Sequence, residues 1–123
     1  MSTSGATICR KRLNLDNVLN IHYIYIVNMI TFEWDKKKDT LNRNNHGVSF
    51  DEARTAFDDE NALLIHDPDH SEDEDRFILL GMSATLRILV VCHCYRKENS
   101  IIRIISARKA ASKERNSYRE QVK

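Results

Sequence analysis

The sequence predicts one α+β domain in which N-terminal helices precede a four-stranded antiparallel meander and a C-terminal helix ends the chain. Capping signals bracket two helical segments before residue 60. Four β-branched or aliphatic runs with turn-like separators follow them, and the stretch from Ala110 to Gln121 has helix-forming composition.

Patterned sequence begins just after Met29, where Ile30 to Trp34 reads as a short strand. Asp35 is placed to cap a helix from Lys36 to His46, with Gly47 as the residue that ends it. Ser49-Phe50-Asp51-Glu52 fits a capping box and opens a second helix whose Phe50, Ala53 and Phe57 share a face. Ala62 to His66, Arg76 to Met82, Arg87 to Tyr95 and Ser100 to Ser106 read as four antiparallel strands. The final helix, Ala110 to Gln121, has Ser112 as its candidate cap. Short connections make this one compact unit with a thin core.

Residues 1–28 lack this organisation. A signal peptide needs an unbroken apolar run and a small-residue cleavage site, but Asp16, Asn17, Asn20 and His22 interrupt the apolar run. The expectation is therefore a dispensable extension, with Met29 as the biological initiator and residues 29–123 as the domain. No run of about 18 uncharged apolar residues exists to span a bilayer. Cys92 and Cys94 lie two apart on one predicted strand face, where neighbours do not form a structural disulfide, so reduced thiols and a cytoplasmic setting are expected.

A net charge of +1 conceals segregation along the chain. Asp51 to Arg76 contains 11 acidic residues against Arg54 and Arg76, whereas Arg87 to Lys123 contains 10 basic residues against Glu98, Glu114 and Glu120. The basic block suits a phosphate-facing surface, or else the two blocks pair with each other in the fold.

Several chemistries are excluded. The acidic loop from Asp67 to Asp75 alternates like a calcium loop, but an EF-hand starting at Asp67 requires Gly and Glu where Glu72 and Ile78 stand. Three glycines cannot build a P-loop or a dinucleotide fingerprint, and there is no nucleophile elbow or zinc-protease motif. Arg103 interrupts an aliphatic strand, so it either meets a carboxylate or opens into a groove. His93 shares the face of Leu89 and Val91 and is packed there or exposed in a cleft. Lys38, Asn42 and His46 form one helical stripe, readable as a solvated face or as a site. Tyr118 is the sole aromatic residue of the last helix and serves as an anchor or as part of a groove. Arg, Lys, His and Tyr together suit RNA cleavage through the ribose 2′-hydroxyl, with cations stabilising the phosphorane and His or Tyr moving protons.

Phe32-Glu33-Trp34-Asp35, His46-Gly47-Val48-Ser49-Phe50, Asp67-Pro68-Asp69-His70-Ser71, Arg76-Phe77 and Ile102-Arg103-Ile104-Ile105-Ser106-Ala107-Arg108-Lys109-Ala110 together resemble the BrnT toxins of type II toxin–antitoxin modules. Glu114-Arg115 and Tyr118 agree with that pattern, while Arg43, Asn45 and Arg119 depart from it. The resemblance implies a RelE-like fold and a metal-independent endoribonuclease without cofactor, which blocks translation and growth. It also implies a BrnA-like ribbon-helix-helix antitoxin as partner, RNA as substrate, operator DNA contacted only through the antitoxin complex, and no membrane. By position, Arg103 and Arg108 would bind phosphate and stabilise charge. Lys38, His93 and Tyr118 would transfer protons or position substrate, and His46, Arg76 and Arg115 would support RNA binding. The rival expectations are an inactive homologue that serves as a binding module with its antitoxin in transcriptional autoregulation, and a toxin of related fold that poisons a protein target such as gyrase.

Overall fold

The computed structural model describes residues 30–67, 75–98 and 100–122. The expected N-terminal extension, Met29, and most of the acidic loop after Asp67 lie outside them. The elements run β1 (Thr31–Glu33), α1 (Lys36–His46), α2 (Phe50–Thr55), a turn of 3-10 helix (Ala56–Asp58), β2 (Leu63–Asp67), β3 (Arg76–Met82), β4 (Ile88–Arg96), β5 (Ile101–Lys109) and α3 (Ser112–Val122). No described helix is long and apolar enough to cross a membrane.

The four-stranded antiparallel expectation is corrected in one respect. β2 to β5 do form the antiparallel meander, but β1 pairs in parallel with β5, so the sheet is five-stranded and mixed, in the order β1-β5-β4-β3-β2. The reason lies far along the chain. β5 exposes an unpaired edge beside the start of the domain, and Thr31 N–H donates to the Ser100 carbonyl to begin that pairing.

Strand alternation gives the sheet two faces. On one, Leu79, Leu89, Val91, Ile102, Ile104 and Ala107 pack against Val48, Phe50, Ala53 and Phe57 to form the main core. On the other, Leu80, Val90, Ala110 and Tyr118 form a smaller cluster beneath α3. A register irregularity near Ile105 adds one residue to β5 opposite Cys92 and His93, which restores the alternation needed to bury both Ile104 and Ala107.

α1 has almost no apolar face to bury, since Leu41 is 57% exposed and its one buried residue is Asn42. Asn42 holds it instead. Its side-chain amide accepts from Ala107 N–H at 3.1 Å and donates to the Ala107 carbonyl at 2.7 Å and to the Val48 carbonyl at 2.9 Å. The amide thus stands in for a neighbouring strand on β5 beyond the end of β1. Asp35 accepts from Lys37 N–H to cap the helix, and Gly47 closes it at φ +70°.

Candidate functional site

The sheet face shared with α3 carries a row of chemically mixed side chains, of which Cys94 is buried. The strand register places Glu33, Arg103, Cys94, Arg76 and Asp67 side by side across all five strands. Beside this row lies a cavity of about 260 Å³ bordered by His46, Arg76, Arg108, Cys92 and Ser106. His46 reaches it because Asn42 lashes α1 along the β5 edge, which brings the last turn of the helix round to this face.

Both principal arginines meet carboxylates. Arg103 Nη1 donates to Glu33 Oε2 at 3.0 Å, and Arg96 approaches the same oxygen at 3.4 Å. Arg108 forms a two-pronged pair with Glu114 of α3, at 2.8 Å on each arm. Glu114 also accepts from Ala111 N–H, an N-terminal cap that ties the arginine to the start of α3. The Arg108 guanidinium holds the Glu114 carboxyl down at about 2. At the β1 end, Asp35 is lowered by the Lys37 backbone N–H and, to a lesser degree, by the charges of Lys38 and Arg103. Lys38 stands at the exposed first turn of α1, beside the Asp35 cap.

Three sequence-predicted residues lie away from this surface. His93 is on the opposite face, fully buried among Phe57, Phe77 and Tyr95. Burial pushes its pKa down to about 4, and its ring nitrogens lie 3.2 Å from the Val91 carbonyl and 3.3 Å from the Tyr95 hydroxyl. A neutral, enclosed imidazole is a packing group in this geometry. Tyr118 is also buried and donates to Asp59 Oδ2 at 2.6 Å, while Asp59 in turn accepts from Met82 N–H. Desolvation and the Asp59 carboxylate raise the phenol well above its ordinary value, so Tyr118 anchors α3. Arg115 donates to the Ala110 carbonyl and the Ser112 hydroxyl, staying on the α3 side.

Sequence reasoning overlooked Glu52 and Arg87. Glu52 accepts from Ser83, Thr85 and both arms of the Arg87 guanidinium, and Arg87 also donates to the Gly47 carbonyl. Arg87 is the chief cause of a Glu52 carboxyl held at about 2. This network joins α2, the β3–β4 turn and the helix end beside His46. Its sequence signal was the capping-box Glu52 itself, which was expected to fold back on Ser49 and instead reaches the turn.

Among the described residues, no group of three or more His, Cys, Asp or Glu side chains is arranged to hold a metal ion. Arg76, Arg108 and His46 border the cavity with N–H groups of the kind that suit anionic oxygens.

With that geometry established, comparison with known proteins is informative. No curated protein matches the chain. The 1.1 Å crystal structure of the Brucella abortus ribonuclease toxin BrnT superposes with a TM-score of 0.52 at 21% identity, covering 68% of this chain and 99% of that one. The similarity is one of fold. Residues 34–114 match the family described as the ribonuclease toxin, BrnT, of type II toxin–antitoxin systems. That match spans α1 to the first turn of α3, and the chain belongs to the BrnT family of ribonuclease toxins.

Proposed function

We propose that this chain is the toxin of a type II module and cleaves RNA on the sheet face shared with α3. The observation that carries the reading is that His46, Arg76 and Arg108 border one cavity, with Arg103 in the row that adjoins it, across Cys94 from Arg76. In this reading Arg103 and Arg108 exchange their carboxylate partners for phosphate oxygens. Arg76 binds a neighbouring phosphate. Attack of a ribose 2′-oxygen on phosphorus breaks the bond to the 5′-oxygen, and the arginines stabilise the charge on the pentacovalent phosphorane. His46, with Lys38 at the other end of α1, takes the 2′-hydroxyl proton or returns one to the leaving oxygen. The reaction uses no cofactor. It acts in the cytoplasm, arrests translation and growth, and is restrained by a BrnA-like ribbon-helix-helix antitoxin that alone carries the complex to operator DNA.

The test is incubation of the full chain with total RNA, with and without EDTA. Cleavage that survives chelation and is lost in Arg103→Ala and Arg108→Ala, both with retained thermal unfolding transitions, supports the assignment. Undiminished cleavage by both variants sinks it. The carboxylate pairing of both arginines favours one second reading, an inactive homologue that binds its antitoxin in transcriptional autoregulation. Absence of cleavage by the intact chain, alongside antitoxin binding, decides for that reading.

A further inference from the structure

A second cavity lies on the other side of α3, away from the arginine row. It has a volume of about 550 Å³ and is walled by Met82, Leu86, Ile88, Ala110, Tyr118 and Val122. Its rim carries Arg87, Lys109, Arg115 and Arg119, and no acidic residue lines it. Arg87 is answered by Glu52, but Arg115 donates to neutral acceptors and keeps its charge uncompensated by them.

Leu86 is the informative residue. It closes the β3–β4 turn, its N–H donating to the Ser83 carbonyl, with φ +68°, and is 77% exposed. A bulky side chain is disfavoured in that left-handed conformation, and an exposed leucine recovers nothing from burial. Val122, 46% exposed, flanks the same cavity from the end of α3. Of the four large apolar side chains left exposed among the described residues, Leu86 and Val122 both border this cavity.

We propose that this cavity docks an amphipathic segment of a protein partner, one that presents aliphatic side chains to the walls and carboxylates to the rim. Charge complementarity selects that occupant over the others available. The chain's own first 28 residues offer apolar groups, but their charged residues are Arg10, Lys11, Arg12 and a single acid, Asp16, which the rim would repel. Residues 68–74 are acidic and contain no aliphatic side chain, so they cannot fill an apolar cavity. A second copy joined by two-fold symmetry would set the same cations against one another. A type II toxin has an antitoxin, and the proposal assigns to it a docking surface separate from the RNA-facing row, so it stands whether or not that row proves catalytic.

The probe is a short synthetic peptide with Leu at i, i+3, i+4 and i+7 and Glu beside them, compared with a version carrying Lys in place of Glu. Fluorescence anisotropy on the full chain is expected to show binding of the Glu peptide and not of the Lys peptide. Leu86→Asp and Arg119→Glu are each expected to weaken that binding roughly tenfold or more. Asp tolerates the left-handed turn, so the first variant keeps the backbone, and thermal unfolding verifies both. Equal binding of the two peptides, or undiminished binding by both variants, overturns the proposal. A photoreactive residue in place of Leu86 is expected to cross-link to the Glu peptide. Cross-linking instead to residues 1–28 or to a second copy identifies a different occupant and overturns it as well.

Discussion

Arg108 shows how one residue links stability to activity. Its guanidinium lies 44% exposed beside the cavity, yet both arms are held by Glu114, the cap of α3. Glu114→Gln removes the opposing charge and should strengthen RNA binding in a filter assay. The same change should cost about 1 kcal/mol in urea unfolding, because the pair is partly solvated. Weaker RNA binding in this variant would mean that Arg108 does not face the phosphate. Tyr118 makes the contrasting case. Its hydroxyl is committed to Asp59, so Tyr118→Phe should lower stability by about 1 kcal/mol while cleavage per folded molecule persists. Loss of cleavage in a folded Tyr118→Phe protein would return the phenol to the chemistry. The sequence left both roles open for Tyr118, because a lone aromatic on a polar helix reads equally as anchor or groove. Only the distance to Asp59, 59 residues away in the chain, separates them.

At the scale of elements, what could be read was what is local. Asp35, Gly47 and Ser49 bound α1 and α2 as expected, since a cap acts within a few residues of itself. β3 begins and ends where its aliphatic run does, whereas β5 continues to Lys109 because its irregular residue lets the alternation resume. The parallel pairing of β1 and the docking of α1 depend on partners far along the chain, and no periodicity announces them. Asn42 is the clearest instance. As the middle member of a polar stripe with Lys38 and His46 it reads as solvated, yet it is buried and satisfies β5 at Ala107. Asn42→Ala strands the Ala107 N–H and the Ala107 and Val48 carbonyls. It should destabilise the protein by about 3 kcal/mol in urea unfolding. It should also diminish cleavage by releasing the helix end that positions His46. A loss below about 1 kcal/mol would show that α1 is held by its caps alone.

For the molecule as a whole, the basic block is partly answered by carboxylates, and of the following pairs only Arg87 with Glu52 joins it to the acidic block. Arg87 meets Glu52, Arg96 and Arg103 meet Glu33, and Arg108 meets Glu114. The basic block is thus partly neutralised in the fold while Lys109 and Arg119 remain at the rim of the second cavity. Together with His93, these pairs govern how the domain responds to acid. His93 is held at about 4 by burial, below its unfolded value, so the unfolded chain binds a proton that the folded one refuses. Stability must therefore fall as pH drops from about 6.5 toward about 4, by an amount on the order of 3 kcal/mol. Glu52 and Glu114 are both held at about 2, below their unfolded values. Their contribution is intact above about pH 5 and disappears as pH falls toward about 2. Acid unfolding should accordingly begin with the imidazole and continue with the carboxylates. Urea midpoints measured across this range resolve the two stages. His93→Gln replaces the ring with an amide that does not titrate, and although it lowers stability everywhere, it should flatten the slope between about pH 6.5 and 4. Glu52→Gln should leave that slope intact and reduce the one below it. An unchanged upper slope in His93→Gln would mean that the buried imidazole does not set the acid response of this fold.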